Sequence, residues 1–254
     1  MTIIRTFDVE KMPVLVFDTP DSLGGAVADE FEKILLSTIQ EKGEASVILA
    51  TGNSQLTFMK NLRQKKTIPW KNVLCFHMDE YLGMSEQHPA SFRRYIKEEL
   101  VNHVNPKVFY GIQGDAEDIQ AELDRYQKLL KKNPPVICVL GIGENGHLAF
   151  NDPPADFEME ELIHVVNLDD TCRWQQVNEG HFSSFELVPS QALTLSIPAL
   201  LSAEHVFAVV PEIRKAEAVE KALNGPVTPN CPASILKTKS NTKLFLDIYS
   251  ASSI

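Results

Sequence analysis

Short apolar runs alternate with longer amphipathic segments along most of this chain. The runs have the length and composition of buried strands, and the segments between them repeat apolar residues at helical spacing. We predict strands at 14–17, 46–50, 73–78, 136–140, 162–166, 192–197, 206–210 and 244–247. The predicted helices are 22–41, 55–64, 90–101, 116–131 and 215–223. Strands that alternate with helices form a mostly parallel sheet covered on both faces. The predicted fold is a three-layer α/β/α with a Rossmann-like sheet, as a single domain over residues 1–254.

Composition limits the classes of partner. The formal charge of -10 and the lack of a lysine or arginine cluster argue against nucleic acid and against an anionic membrane surface. A small anionic ligand is compatible with this charge, because a few local donors decide its binding. The four cysteines are widely spaced without a C-x-x-C pair, which is typical of reduced core thiols. No run approaches the ~20 apolar residues of a membrane span, and the N-terminus lacks a signal peptide. We expect a soluble, cytoplasmic protein, and the sequence leaves open whether it is a homo-oligomer.

A glycine-rich turn follows the predicted strand 136–140 and places His147 at its mouth. The glycines Gly141, Gly143 and Gly146 allow backbone conformations that larger residues adopt with difficulty. Open α/β sheets bind their ligands beyond the carboxyl ends of their strands. We therefore interpret this segment as a catalytic loop, with a structural histidine as the alternative.

The same glycines spell G-x-G-x-x-G, which is also the pattern of a dinucleotide-binding turn. That motif needs a helix directly after its third glycine, with the helix N-terminus facing a pyrophosphate. Here the run Asn151-Asp152-Pro153-Pro154 interrupts the chain before a helix can form. The pattern therefore argues against nicotinamide or flavin binding.

A second predicted strand, 46–50, ends in small polar residues and opens into a helix. The backbone N–H groups of Gly52, Asn53 and Ser54 could hold a phosphate at this helix start without any lysine. An ordinary helix cap is the alternative interpretation.

A third predicted strand, 73–78, ends in two consecutive carboxylates, Asp79 and Glu80. Neighbours on a strand point to opposite faces, so we expect the two side chains to have different roles. A solvated acidic loop is the alternative.

In this order and at these separations, the three segments resemble the glucosamine-6-phosphate deaminase (isomerase) family. The likeness extends from about Phe17 to Asp247 and includes the segments 88–92, 188–194, 214–216 and 231–234. The same fold group contains the 6-phosphogluconolactonases, whose loop also has a glycine-histidine pair. The continuation Ala149-Phe150-Asn151 is more similar to the deaminases.

The resemblance implies conversion of glucosamine 6-phosphate and water to fructose 6-phosphate and ammonia, with no cofactor and no metal. His147 would open the sugar ring, because imidazole both gives and takes a proton near neutral pH. Asp79 would move a proton from C2 to C1, and burial could raise its basicity. The substrate-binding residues that the resemblance implies are Gly52, Asn53, Ser54, Glu80 and Lys215.

The chain departs from the family near the histidine and near the phosphate. Asn145 stands where many members have aspartate, and Asp152 where many have glutamate; we assign both to the catalytic set. Asparagine can orient His147 but cannot stabilise an imidazolium by charge, and Asp152 reaches the ring only if the backbone lies closer. The family's phosphate-clamping arginine has no clear counterpart, and Arg173 and His181 are both candidates.

Three other functions remain open at this point. The chain could act on galactosamine 6-phosphate, hydrolyse a sugar-phosphate lactone, or bind a sugar phosphate without turnover. Release of ammonia separates the deaminases from the other two classes.

Overall fold

The structure is a computed structural model that describes residues 2–254; Met1 of the predicted domain lies outside the described residues. The strands are β1 (Ile3–Val9), β2 (Met12–Phe17), β3 (Ala45–Leu49), β4 (Val73–His77), β5 (Asp79–Tyr81), β6 (Val108–Tyr110), β7 (Ile137–Leu140), β8 (Ile163–Asn167), β9 (Gln191–Leu195), β10 (His205–Val210) and β11 (Thr242–Asp247). The α-helices are α1 (Pro20–Lys42), α2 (Leu56–Leu62), α3 (Phe92–Ile96), α4 (Asn102–Val104), α5 (Ile119–Lys132), α6 (Asp170–Asn178), α7 (Ile197–Leu201) and α8 (Ala216–Asn224).

Eight strands form the central sheet, in the order β1-β2-β11-β10-β7-β3-β4-β6. From β2 to β6 every neighbouring pair is parallel, and only β1 and β2 are antiparallel. Alternate residues of the strands feed two apolar clusters, one on each face of the sheet. The predicted class, a three-layer α/β/α with a mostly parallel sheet, is confirmed.

Two predicted strands belong to a different sheet. β8 and β9, predicted as 162–166 and 192–197, pair antiparallel with each other, and β9 pairs with β5 in the order β5-β9-β8. The assignment of both strands to the parallel sheet was wrong. Strand periodicity records which faces are buried, and it carries no information about which neighbour completes the hydrogen bonds. This small sheet joins the carboxyl edge of the central sheet at Met78, whose carbonyl accepts from Leu195 N at 2.8 Å.

Short elements such as β5, α4 and α7 were not predicted, and three further elements were missed because their sequence signals are weak. β1 is an edge strand whose first residues are exposed, so it lacks the apolar run that marks a buried strand. β6 has only three half-buried residues. α6 has mostly polar residues, with its N-cap provided by Asp169, whose Oδ1 accepts from Cys172 N at 2.6 Å. None of the helices in the part of the chain from residue 2 onward is long and apolar enough to cross a membrane.

Helices α1 and α2 pack closely because of one glycine. A Cβ atom built on Gly24 would lie 2.6 Å from the backbone carbon of Thr57 and 2.7 Å from Phe58 N. These are backbone atoms of α2, which follows directly on the turn at Gly52. A side chain at position 24 would therefore push α2 and disturb that turn.

We expect Gly24→Ala to lower the free energy of unfolding by about 1–3 kcal/mol, the usual cost of overpacking a buried contact. Urea denaturation would measure the change. Ser37→Ala, at an exposed position of the same helix, should change stability by less than ~0.5 kcal/mol. Equal stability of Gly24→Ala and the native protein would show that the two helices do not need this close contact.

Candidate active site

A polar cavity opens at the carboxyl ends of β3, β4 and β7. Six residues that the sequence predicted for the site line it: Gly52, Asn53, Ser54, Asp79, His147 and Lys215. The parallel pairing of the strands brings these residues together from widely separated parts of the chain. Asn145 and Asp152 lie behind His147, and Glu80 points elsewhere.

The loop after β7 fixes the ring of His147 against its own glycines. A Cβ atom on Gly143 would lie 2.3 Å from two atoms of the imidazole, so any side chain there would displace the ring. The carbonyl oxygen of His147 accepts from Gly143 N at 3.0 Å. Gly146 has φ 87°, a left-handed conformation that favours glycine. Gly143 therefore leaves room for the imidazole ring, and Gly146 allows the loop to reverse direction.

Asp152 and Asn145 support His147 from behind. Asp152 Oδ1 lies 3.0 Å from His147 Nδ1, although the ring N–H does not point straight at the oxygen. Asn145 Oδ1 accepts from His147 N at 3.0 Å, and Asn145 Nδ2 donates to Asp152 Oδ1 at 3.0 Å. Burial raises the pKa of Asp152, but the contact with His147 and the hydrogen bond from Asn145 outweigh it and lower that pKa. The shorter carboxylate thus reaches the imidazole and is ionised beside it.

Asp169 is a further support residue that the sequence did not reveal. Asn145 Nδ2 lies 3.3 Å from Asp169 Oδ2, and Asp169 N donates to Asp152 Oδ2 at 3.4 Å. Because Asp169 is also the N-cap of α6, these bonds tie the histidine loop to that helix. A carboxylate before an unrecognised helix gave no sequence signal of this role.

Asp79 is buried in the cavity wall with an unsatisfied oxygen. The residue is 6% exposed, and its Oδ1 has no hydrogen-bond partner among residues 2–254. Burial, with a smaller contribution from Glu80, raises the pKa of Asp79 well above its usual range. An unpaired carboxylate in such a place is a better base than a solvated one.

Glu80 does not line the cavity, which contradicts its predicted contact with substrate. It is fully buried, and its carboxylate accepts from Ser91 Oγ at 2.7 Å and from the backbone N–H groups of Tyr81, Phe92 and Arg93 at 3.0–3.1 Å. The Arg93 guanidinium lies 3.4 Å from Oε2. Burial raises the pKa of Glu80, and these donors oppose the rise. Alternation along β5 turns Glu80 away from Asp79, so it caps α3 and fixes β5.

The turn after β3 lines the cavity with Gly52, Asn53 and Ser54. Gly52 has φ 94° and ψ 167°, a conformation that is essentially restricted to glycine, and residues Asn53–Gln55 form a helical turn that leads into α2. The carbonyl of Gly52 accepts from Tyr95 Oη at 2.9 Å, which holds the turn in place. Lys215, just before α8, is only 3% exposed and lines the same side of the cavity.

A family model described as glucosamine-6-phosphate isomerases/6-phosphogluconolactonase matches residues 18–245. The chain belongs to this family. A glucosamine-6-phosphate deaminase of Clostridium novyi (strain NT) is 35% identical over 234 residues, which cover 90% of this chain and 95% of that protein. Glucosamine-6-phosphate deaminase 1 of Bacillus subtilis (strain 168) is 34% identical over 226 residues, 87% of this chain and 92% of that one.

Solved structures of the family have the same fold. A structure described as a monomeric glucosamine-6-phosphate deaminase superposes with a TM-score of 0.86 at 31% identity, covering 95% of this chain and 99% of the other. A 6-phosphogluconolactonase from Shewanella baltica OS155 gives a TM-score of 0.75 at 21% identity, with coverage of 95% and 99%. At that identity the second likeness shows the fold alone.

The two candidates for the family's phosphate-clamping arginine differ in position. Arg173 faces away from the cavity, because its Nη2 donates to the carbonyls of Phe185 and Val188 and its guanidinium lies 3.8 Å from the Phe185 ring centroid. His181 does line the cavity. Between them the chain places Glu179, whose carboxylate-bearing side chain is largely buried and which sequence reasoning did not consider.

Cys172 lies close to the catalytic loop without reaching the cavity lining. Its Sγ lies within 4.8 Å of donor atoms of His147 and Asp152. Burial strongly raises the pKa of the Cys172 thiol, so the thiolate that a metal requires is disfavoured. Asp152 is already engaged by Asn145. The positions of Cys172, His147 and Asp152 are therefore better explained by packing of a neutral thiol against the loop than by binding of a metal ion.

The raised pKa of Asp79 predicts that Asp79→Asn is more stable than the native protein at neutral pH. The folded protein holds this proton at pH values where the unfolded chain, with a pKa near 3.8, has released it. Stability from this group is complete below the unfolded pKa and is lost as pH rises toward the folded pKa. Asparagine removes that loss, and we expect a gain of about 0.5–2 kcal/mol.

Urea denaturation at pH 4 and pH 7.5 measures this difference, which should shrink at the lower pH. Asp8→Asn, at an exposed position of β1, is the matched control and should show no such gain. A gain that is the same at both pH values would contradict a role for ionisation.

Proposed function

We propose that this protein converts glucosamine 6-phosphate and water to fructose 6-phosphate and ammonia. The observation that supports this most strongly is that Asp79, His147 and Lys215 line the same cavity. The chain also belongs to the family of glucosamine-6-phosphate isomerases and 6-phosphogluconolactonases. Relatives named glucosamine-6-phosphate deaminase match over most of their length and of this chain. The cavity supplies the base, the ring-opening group and the cation that the reaction needs.

His147 opens the sugar ring in the proposed mechanism. Its imidazole takes the proton from the hydroxyl at C1 and gives a proton to the ring oxygen, which breaks the bond between C1 and that oxygen. Asp152 stabilises the imidazolium through its ionised oxygen 3.0 Å from Nδ1. Asn145 holds Asp152 and the loop backbone, so it acts as a positioning residue.

Asp79 moves the proton in the proposed isomerisation. It takes the proton from C2 of the open-chain sugar and returns it at C1, while a second proton passes from the C2 nitrogen to the C1 oxygen, so the C1 carbonyl becomes a hydroxyl and the C2 amine becomes an imine. Water then adds to C2 and ammonia leaves. Asp79 must be ionised to begin, so its raised pKa predicts a rate that increases with pH through that pKa.

The substrate's phosphate binds to the turn at Gly52, Asn53 and Ser54 and to Lys215 in this proposal. Backbone N–H groups supply most of the donors, and the buried ammonium supplies charge. Glu80 acts indirectly, by fixing the strand that carries Asp79. No role of a cofactor is needed for any of these steps.

An ammonia assay with a small panel of substrates tests the function. Purified protein without added metal or nucleotide should release ammonia from glucosamine 6-phosphate and form a ketose phosphate. Galactosamine 6-phosphate in the same panel tests the configuration at C4, and 6-phosphogluconolactone tests lactone hydrolysis. Hydrolysis of the lactone without ammonia from any hexosamine phosphate would reject the proposal.

We expect Asp79→Asn to lose exchange of the C2 proton with solvent while it keeps binding the substrate. Loss of a positioned base costs on the order of 10²–10⁴ in rate, and asparagine keeps the size of the side chain. Exchange of deuterium from heavy water, followed by NMR, measures this step. Asp8→Asn is again the control, and undiminished exchange in Asp79→Asn would remove this residue from the mechanism.

We expect Lys215→Ala to raise KM for glucosamine 6-phosphate about ten- to a hundredfold and to change kcat less. A charged hydrogen bond contributes roughly 1.5–3 kcal/mol, and the backbone donors of the turn remain. Lys221→Ala removes an exposed lysine from the adjacent helix and should leave KM unchanged. A KM that is equal in Lys215→Ala and Lys221→Ala would place the phosphate elsewhere.

A further inference from the structure

A carboxylate of the chain itself occupies the side of the cavity where the proposed function puts the substrate's phosphate. Glu179 follows α6, and its side chain is 7% exposed. A Cβ atom built on Gly52 would lie 4.0 Å from Glu179 Oε2, so the carboxylate faces the phosphate-binding turn. Its Oε1 lies 3.9 Å from Lys215 Nζ. Both elements proposed to bind phosphate therefore face an internal anion.

Four side chains hold Glu179 in this position. Its Oε1 accepts from Gln175 Nε2 at 2.8 Å and from Arg214 Nη1 at 3.0 Å, in addition to the contact with Lys215. Its Oε2 lies 3.4 Å from His181 Nε2. Burial raises the pKa of Glu179, but His181, Lys215 and Arg214 lower it to about 2. The carboxylate is therefore ionised at neutral pH.

The cations near Glu179 are outnumbered by carboxylates. Arg214 Nη1 lies 3.2 Å from Glu144 Oε1, and Arg214 Nε donates to Glu212 Oε2 at 2.7 Å. Three carboxylates thus share two fixed cations, Arg214 and Lys215. A phosphate that entered beside Glu179 would add negative charge to a partly buried cluster that already has an excess of it.

We propose that Glu179 is a specificity-determining residue, which competes with the substrate's phosphate for Lys215 and for the turn at Gly52. The inference rests on the proposed function for the identity of that substrate. Phosphate enters when the Glu179 side chain rotates away, and it then takes over the released donors. The chain around α6 can stay in place during this exchange, because Arg173 anchors it through two backbone carbonyls at 2.9 and 3.1 Å.

Binding of inorganic phosphate to Glu179→Gln, measured by calorimetry, tests this inference directly. Glutamine keeps the size of the side chain and one acceptor oxygen for Gln175 and Arg214 but removes the competing charge. We expect phosphate to bind about ten- to a hundredfold more tightly than to the native protein, the effect of freeing one charged hydrogen bond. KM for glucosamine 6-phosphate should fall by a similar factor, while free glucosamine should show no gain.

Glu144→Gln is the matched control, since it also removes a carboxylate from Arg214 but lies outside the cavity lining. It should change phosphate affinity by less than about twofold. Unchanged or weaker phosphate binding in Glu179→Gln would overturn the inference, and so would equal tightening in Glu144→Gln, because general charge would then explain it. Glu179→Asp keeps the charge but withdraws it by one methylene, so a folded form of this variant should show a smaller tightening.

The calorimetric measurement also separates this inference from the proposed function, because it needs no turnover. If no hexosamine phosphate releases ammonia while Glu179→Gln still binds phosphate more tightly, the function is wrong and the competition stands. If ammonia is released normally and Glu179→Gln binds phosphate no better, the function stands and the competition is wrong.

Discussion

Parallel pairing of β3 with β4 and β7 is the constraint on which the site depends. Leu49 of β3 pairs with Val139 of β7 on one side and with His77 of β4 on the other. Because the three strands run in the same direction, the segments that follow them leave the sheet at one edge. Neighbouring strands lie about 4.8 Å apart, so groups just beyond their ends are within reach of one hexose. The chemistry can therefore come from distant parts of the sequence without a long connecting loop.

Three buried carboxylates near this edge show how environment separates roles among identical groups. Glu80 is surrounded by hydrogen-bond donors and serves the backbone. Glu179 is paired with cations, which keeps it ionised. Asp79 receives neither, so burial and the charge of Glu80 raise its pKa without opposition. Burial is common to all three, so the partner of each carboxylate decides whether it is structural, a competing anion or a base.

The sequence predicted those elements whose burial or residue types produce a pattern among neighbouring residues. The six buried strands of the central sheet and the glycine turn before His147 were predicted near their observed positions, because apolar runs and glycines act locally. The contact of Asp152 with His147 was less predictable, since it depends on how closely the loop folds back. The structure gives a 3.0 Å approach of the shorter carboxylate. α6 and its N-cap Asp169 were missed because the helix has few apolar residues to mark it.

The sequence by itself determined the α/β class, the strand ends that carry polar residues and the likeness to one family. Those follow from hydrophobic periodicity and from residue types at fixed separations, both of which are local properties of a chain. Only the tertiary structure decided that β8 and β9 form a second sheet with β5, that Glu80 faces the protein interior, and that Glu179 faces Lys215. The physical reason is that side-chain partners and strand neighbours, here 12 residues apart for Glu80 and Phe92 and 115 apart for Asp79 and Thr194, depend on three-dimensional packing, which no local pattern records.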